Sequence, residues 1–235
     1  MTHQRIVCLT EETVETLYLL GQQDRIVGVT GYAIRPARVR KEKPRVGAFT
    51  SADIPKIMDL RPDLVLTFSD LQAPIVADLI RHGVEVHAFN QRSVEGILQM
   101  IRTCGALTGA LDQAEALIAT YRDRLDRIAA TPRLHRPRVW IEEWDDPLIS
   151  GIGWVSELVQ IAGGQDIFPE LAAQGQAKSR ILTPDQVIPR APEVFLASWC
   201  GKKVVPARIA ARPGWQDLPA IRNGRIHEIK SPLIL

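Results

Sequence analysis

Residues 62–68 read Pro-Asp-Leu-Val-Leu-Thr-Phe, and residues 192–199 read Pro-Glu-Val-Phe-Leu-Ala-Ser-Trp. Both stretches begin with proline, continue through apolar and β-branched residues typical of a buried strand, and end at an aromatic residue. A short helix is predicted before each of them, because Ser51 and Thr183 are capping residues followed by apolar side chains. The same pair of elements, a short helix followed by a strand, is therefore predicted twice in the chain.

The match between the two halves of the chain extends beyond these strands. Each half opens with an apolar run, at residues 5–9 and 138–141, followed by a polar loop and an amphipathic helix that ends at a glycine. Each half also contains a glycine turn that leads into a further strand, at residues 83–89 and 224–229. Parallel neighbours need crossover connections that are usually helical, so alternating strands and helices predict parallel sheets. We therefore predict an α/β fold with two Rossmann-like lobes.

A single long helix is predicted between the lobes. Apolar residues recur at helical spacing from Leu111 to Ile128, and Thr131-Pro132 stops the pattern. A helix of this length spans about 30 Å, enough to join the lobes as a semi-rigid spine beside a cleft. The predicted organisation is an N-terminal lobe at residues 1–108, a bridging helix at 109–131 and a C-terminal lobe at 132–235.

The composition excludes several classes of protein. The 235 residues, 46% hydrophobic and 24% charged, are enough for a folded core, and a net charge of +2 does not call for nucleic acid. No apolar stretch approaches the roughly 20 residues of a transmembrane helix, and no signal peptide is recognisable. Three distant cysteines favour reduced thiols. The basic segment at residues 35–45 is interpreted as a solvated loop, with attraction of an anionic ligand group as the alternative.

Six aromatic residues follow predicted strands or turns. In open α/β sheets a ligand lies outside the carboxyl ends of the strands, so side chains at these positions are expected to face the cleft. Packing of each aromatic ring inside its own lobe is the alternative; their shared position favours a flat, apolar wall for a ligand. The six residues are Tyr32, Phe49, Phe68, Trp144, Trp154 and Trp199.

Catalytic and metal-binding chemistry has weaker support. The four carboxylates within residues 142–146 would suit a hard cation or an acid–base pair, but a solvated loop is the preferred interpretation. The histidines show no HxH or HxxxH spacing, and a dinucleotide fingerprint, a phosphate loop and a GxSxG elbow are all missing. Cys200 follows Trp199 near the cleft, where packing is favoured over contact with a ligand or its metal. We predict no enzyme, no catalytic residue and no metal site.

The most specific motifs of the chain lie at residues 143–151, 154–164 and 213–225, with a weaker one at residues 60–65. Together they resemble the cobalamin-binding members of the helical-backbone (class III) substrate-binding proteins, which serve ABC importers for cobalamin, haem and ferric siderophores. The resemblance covers nearly the whole chain. It implies two α/β lobes, one bridging helix, little hinge motion and a corrinoid held between aromatic walls.

The resemblance also assigns individual positions. The ligand contacts that it implies are Tyr32, Phe49, Phe68 and Leu148. Ser179 departs from the pattern, because some family members have a pocket tryptophan there. The chain ends soon after residues 224–229, so we expect that the pocket loop and final helix of the family are missing.

A docking position follows from the same resemblance. Importer-coupled relatives carry one acidic residue on each lobe, in the helix before the proline-led strand, and these residues pair with arginines of the permease. Here the second position is Asp185, but the first is Pro55, with Asp53 the nearest carboxylate. We therefore expect weak, one-sided or absent docking on an ABC-importer permease. The expected location is the periplasm if a leader has been removed and the cytoplasm otherwise.

The sequence thus predicts a substrate-binding protein that captures a cobalamin-like corrinoid between two lobes, without a cofactor of its own. A ferric siderophore or haem is the alternative ligand. The alternative from another class is a two-lobed metallocluster enzyme, which would need cysteine ligands facing the cleft. Neither nucleic acid nor insertion into a membrane is expected.

Overall fold

The computed structural model describes residues 2–234, and the chain divides into two compact units. The first unit holds Met1–Gln91 and Glu95–Arg122, and the second holds Arg92–Val94 and Asp123–Leu235. The boundary between the two units, after residue 122, lies within a continuous helix at Leu111–Ala129. This helix corresponds to the one predicted to bridge the lobes.

The first unit consists of a parallel sheet and the helices around it. Its strands are β1 (Ile6–Cys8), β2 (Ile26–Val29), β3 (Leu64–Phe68) and β4 (Val86–Phe89). Its helices are α1 (Glu11–Leu19), α2 (Val39–Glu42), α3 (Ile54–Asp59), α4 (Ala73–Arg81), α5 (Val94–Thr108) and α6 (Leu111–Ala129), the last of which continues into the second unit. The strand order is β2-β1-β3-β4, and all neighbouring pairs are parallel.

Both faces of this sheet are buried. Ile6 and Cys8 of β1 belong to one cluster of buried side chains, whereas Val7 between them belongs to another. The residues of β3 divide between the two clusters in the same way. Successive residues of a strand point to opposite faces, so a strand covered on both sides needs a continuous apolar run. This is the physical reason for the uninterrupted apolar stretches at residues 6–9 and 64–66.

The second unit has a mixed sheet with shorter helices. Its strands are β5 (Arg138–Asp145), β6 (Leu148–Ser150), β7 (Gln165–Asp166), β8 (Val194–Ala197) and β9 (Ile226–Glu228). Its helices are α7 (Gly153–Ile161), α8 (Pro169–Ala172), α9 (Pro184–Val187), α10 (Pro206–Ala210) and α11 (Pro219–Arg222). Its core contains Trp140, which meets the ring of Phe195 edge-on at 6.1 Å.

The second sheet repeats the strand order of the first with one insertion. β7 and β8 flank β5, and β9 pairs with β8, all in parallel, as β2, β3 and β4 do around β1. The inserted strand β6 runs antiparallel to β5 with Leu148 opposite Asp145. The two-residue connection between β5 and β6 is too short for a helical crossover and therefore makes a hairpin. The predicted α/β class with two parallel-sheet units is confirmed, and β6 is its exception.

Strand β5 continues four residues past its predicted end at Ile141. Residues 142–145 were expected to form a solvated loop because three of them are carboxylates, but pairing with β6 extends the strand through them. Trp144 consequently lies inside a strand instead of after one. Within residues 2–234, no helix combines the length and the apolar character needed to cross a bilayer.

Candidate ligand-binding site

The carboxyl edge of the first sheet carries the predicted aromatic residues of that unit. Tyr32 comes three residues after β2 and is 46% exposed, Phe68 ends β3, and Phe49 lies in the segment between these strands. Phe49 and Phe68 are half-buried. The backbone N–H of Gly31 donates to the carbonyl oxygen of Gly47 at 2.7 Å, which links the segment of Tyr32 to that of Phe49. The structure therefore brings these three predicted residues to one edge.

Gln72 joins three chain segments at this edge. Its side-chain Nε2 donates to the carbonyl oxygens of Leu9 at 3.1 Å and Phe49 at 2.7 Å, and its Oε1 accepts the backbone N–H of Phe68 at 3.0 Å. The side chain is completely buried. Sequence reasoning missed this residue, because nothing in its local pattern separates it from a surface glutamine.

Two glutamates stand at the same edge, in the first turn of α1 directly after β1. Burial, together with the nearby charge of Glu12, raises the pKa of Glu11 to about 7. Burial also raises the pKa of Glu12. The Oε1 atom of Glu12 is buried and finds no hydrogen-bond partner among residues 2–234. An acceptor buried without a donor costs free energy.

In the second unit, Trp144 and Trp199 meet around one lysine. The ammonium of Lys202 lies 3.9 Å from the centroid of the Trp144 ring and 5.3 Å from that of Trp199, and it also pairs with Asp145. Trp144 is half-buried and packs against the cluster that includes Leu148 and Trp199. The structure brings these three predicted residues together, with a cation on the tryptophan faces.

Three predicted contact residues of this unit are almost completely buried. Leu148 and Trp199 belong to the hydrophobic core, and Trp154 is equally enclosed. Trp154 was predicted to follow a turn at a strand end, but Gly153 starts helix α7 and Trp154 lies in its first turn. Its indole N–H donates to the carbonyl oxygen of Ile234 at 2.7 Å. For these three residues the geometry favours packing over direct exposure to a ligand.

The carboxylates of β5 are paired structural groups, which corrects their interpretation as a solvated loop. Glu142 is fully buried and accepts two hydrogen bonds from the Arg212 guanidinium, at 2.6 and 2.8 Å. It also accepts the indole N–H of Trp140 at 3.1 Å and that of Trp199 at 3.0 Å. The buried charge of Glu142 needs the Arg212 guanidinium, because an unpaired carboxylate is strongly disfavoured away from water.

The neighbouring carboxylate, Glu143, pairs with a different cation. Glu143 binds the buried guanidinium of Arg180 at 2.6 and 3.0 Å. Cations from distant segments therefore neutralise Glu142, Glu143 and Asp145 one by one. No group of three or more metal-binding side chains occurs in the part of the chain that the structure describes.

The basic segment is more ordered than predicted. It contains helix α2, and Arg35 binds Glu15 through both carboxylate oxygens at 2.7 to 2.9 Å. Arg38 lies over the ring of Tyr18 at 5.1 Å. Cys200 is exposed. Of the predicted docking positions, Asp185 is exposed in α9, and Pro55 is exposed in the first turn of α3.

Comparison with known proteins assigns the chain to a family. Residues 6–233 match the family model described as periplasmic binding protein, and the chain belongs to this family. A cobalamin-binding protein of Halobacterium salinarum is 29% identical over 169 residues, which cover 70% of this chain and 46% of that protein. The chain thus spans about half the length of that relative. A vitamin B12-binding protein of Vibrio campbellii is 24% identical over 236 residues, or 98% of this chain and 82% of that protein.

A solved structure gives the same fold. The periplasmic heme-binding protein RhuT from Roseiflexus sp. RS-1, in its apo form, has a TM-score of 0.84 at 24% identity, covering 99% of this chain and 91% of that one. At this identity the likeness shows the fold alone. The family model assigns the chain to a family of binding proteins.

Proposed function

We propose that the chain captures a corrinoid of the cobalamin type, as a receptor related to those of ABC importers. The observation that carries this proposal is the group of Tyr32, Phe49 and Phe68, which remain accessible at one edge of the first sheet. Accessible aromatic rings at the carboxyl ends of strands suit a large, flat ligand. The names of the two relatives, which refer to cobalamin and vitamin B12, support this choice of ligand.

Glu11 and Glu12 favour an amide-bearing ligand over an anionic one. The ring of cobalamin carries peripheral amide groups, whereas haem and many ferric siderophores carry carboxylates. An amide N–H can donate to a glutamate oxygen whether that carboxyl is ionised or neutral. A ligand carboxylate near the two glutamates would be repelled whenever they are ionised. This difference supports a corrinoid over haem or a ferric siderophore.

Within the second unit, Trp144 is the predicted contact residue that keeps accessible ring surface, with Lys202 over one face. Leu148 and Trp199 belong to the core cluster against which it packs, and Trp154 is buried as well. The corrinoid is the cargo, and the protein carries no resident cofactor.

Retention of a coloured ligand tests the proposal directly. Purified protein is incubated separately with cobalamin, haem and a ferric siderophore, desalted, and examined by visible spectroscopy and calorimetry. We expect retention of cobalamin at one molecule per chain. Retention of only haem or the siderophore would assign the alternative ligand, and retention of none would contradict capture of a metal chelate.

A matched pair of truncations tests the aromatic edge. Tyr32→Ala should weaken cobalamin binding by about 1–3 kcal/mol through lost apolar burial, with little change in the free energy of unfolding because the ring is exposed. Leu19→Ala removes a similarly exposed apolar side chain at the far end of α1. Calorimetry should show unchanged affinity for this control.

We also propose a location outside the cytoplasm. Membership of the periplasmic binding protein family supports this location. Fractionation of cells that produce the native gene product tests the location. Recovery of the protein only from the cytoplasmic fraction would contradict it.

A further inference from the structure

Gln72 satisfies backbone groups that the strands leave unpaired. The carbonyl oxygens of Leu9 and Phe49 lie outside β1, β2 and β3, so these strands do not pair them. Gln72 meets both with its amide donors and uses its oxygen for the N–H of Phe68. Burying a backbone group without a hydrogen-bond partner costs free energy. The buried side-chain amide of Gln72 provides a partner for all three backbone groups.

The turn after β3 holds Gln72 at this point. Ser69 adopts a positive φ of 65°, its N–H donates to the carbonyl oxygen of Phe89 at 2.9 Å, and its hydroxyl accepts the N–H of Leu71 at 3.4 Å. The following 3₁₀ turn, Asp70–Gln72, carries the glutamine back over the sheet edge. The backbone therefore orients the amide before any ligand is present.

A second glutamine in the same unit provides a contrast. Gln22 donates to the carbonyl oxygen of Leu20 at 3.3 Å and accepts from Arg25 at 2.7 Å, so its side-chain partners lie within three residues. The partners of Gln72 include Leu9, 63 residues away, and Phe49, 23 residues away. Gln22 stabilises one local turn, whereas Gln72 connects separate segments at the edge that carries the aromatic residues.

We propose that Gln72 is a positioning residue of the ligand site, which holds the backbone of Phe49 and Phe68 in the arrangement that binds the ligand. The proposal rests on the function proposed above, because it concerns the same aromatic edge. Segments that are already ordered lose little conformational entropy when the ligand binds. Loss of the Gln72 amide therefore weakens binding even when the protein stays folded.

The test compares Gln72→Met with Gln22→Met. Methionine keeps a similar length and volume but removes the amide. With both variants shown to be folded at the assay temperature, the dissociation constant for cobalamin should rise about tenfold in Gln72→Met and stay within twofold of wild type in Gln22→Met. A Gln72→Met protein with a lower melting temperature but the wild-type dissociation constant would overturn the proposal, since a purely structural role predicts that result.

Amide hydrogen exchange supplies a readout that needs no ligand. The Phe68 amide should exchange slowly in the wild type and in Gln22→Met, and at least tenfold faster in Gln72→Met. If the wild type binds neither cobalamin, haem nor a ferric siderophore, the proposed function fails, and this exchange rate still decides whether Gln72 orders the edge. Equal exchange in wild type and Gln72→Met would overturn the positioning role. Gln72→Asn, whose amide is one methylene shorter, replaces Gln72→Met under the same criteria if the latter does not fold.

Discussion

At the scale of single residues, Glu142 shows how the second unit places charge in its core. Its carboxylate has no exposed surface, yet it accepts four hydrogen bonds, two from Arg212 and one from each of two tryptophans. The guanidinium of Arg212 also lies 4.5 Å from the Trp215 ring centroid. Because every acceptor position is used, the buried pair holds Trp199 in one orientation.

Breaking this pair should destabilise the second unit strongly. Glu142→Gln leaves the Arg212 guanidinium, whose side chain is only 15% exposed, without its ionic partner, so the free energy of unfolding should fall by about 3–5 kcal/mol. Urea denaturation followed by tryptophan fluorescence measures the change. The double variant Glu142→Gln/Arg212→Met should recover much of the loss, because neither charge then remains buried alone.

An exposed ion pair in the same unit is the control for this prediction. Asp217 and Arg222 lie 2.7 Å apart with both side chains about two-thirds exposed or more. Asp217→Asn should change the free energy of unfolding by only about 0–1 kcal/mol. Equal losses for Glu142→Gln and Asp217→Asn would show that burial of the pair does not matter.

Glu11 should make stability depend on pH. Burial and the charge of Glu12 raise its pKa from 4.5 to about 7 in the folded state. A group whose folded pKa is raised stabilises the fold fully below its unfolded value, and this contribution is lost as the pH rises through the folded value. Glu11→Gln should therefore be more stable than wild type at about pH 8, with the difference shrinking toward about pH 4.5. Urea titrations across this range measure it, and parallel pH profiles would refute the assignment.

At the scale of secondary-structure elements, α5 and α6 approach each other through a glycine. A Cβ atom on Gly105 would come within 2.5 Å of the Ala114 Cβ and 2.9 Å of the Ala110 carbonyl oxygen. Neither atom is the end of a flexible side chain, so the two helices would have to move apart. Close contact between these helices, and not helix propensity, accounts for glycine in the last turn of α5.

Gly105→Ala should therefore destabilise the first unit although alanine favours helix. We expect a loss of about 1–3 kcal/mol from overpacking, against a gain of about 1 kcal/mol from helix propensity. The exposed control Ala106→Gly, at the neighbouring position of α5, should lose about 1 kcal/mol through propensity alone. Urea denaturation measures both, and an increase in stability for Gly105→Ala would exclude the close contact.

At the scale of the whole molecule, the charges at the predicted docking positions differ between the units. Asp185 is exposed in α9, whereas the position expected to match it in α3 is Pro55. The nearby Asp53 is engaged as the N-cap of α3, where it accepts the N–H of Lys56 at 3.1 Å. The carboxylate nearest to Pro55 therefore already has a structural role.

One carboxylate should be too few for productive docking on a cobalamin permease. We expect no stimulation of the permease ATPase by the wild type, because paired rim charges set orientation and association rate. Pro55→Glu should restore stimulation, and Asp185→Ala should leave the dissociation constant for cobalamin unchanged. A reconstituted permease measures both. Wild-type stimulation equal to that of a relative with both acidic residues would contradict the prediction.

The sequence by itself determined the repeated α/β plan and the aromatic edge of the first unit. Apolar β-branched runs and capping residues are local signals that span only a few positions of the chain. The strands at residues 62–68 and 192–199 can therefore be predicted without knowing which strands pair with them. The order of strands around β1 and β5 was not predicted and comes from the structure.

Only the tertiary structure decided which polar residues organise these edges. Gln72, Glu142 and Arg180 look like surface residues in sequence, and their partners lie tens of residues away. The β5–β6 hairpin likewise makes an apparent acidic loop part of a strand in which Glu142 is buried and residues 143–145 are half-buried. Burial removes water from these groups, and only the folded chain specifies which distant donor or acceptor replaces it.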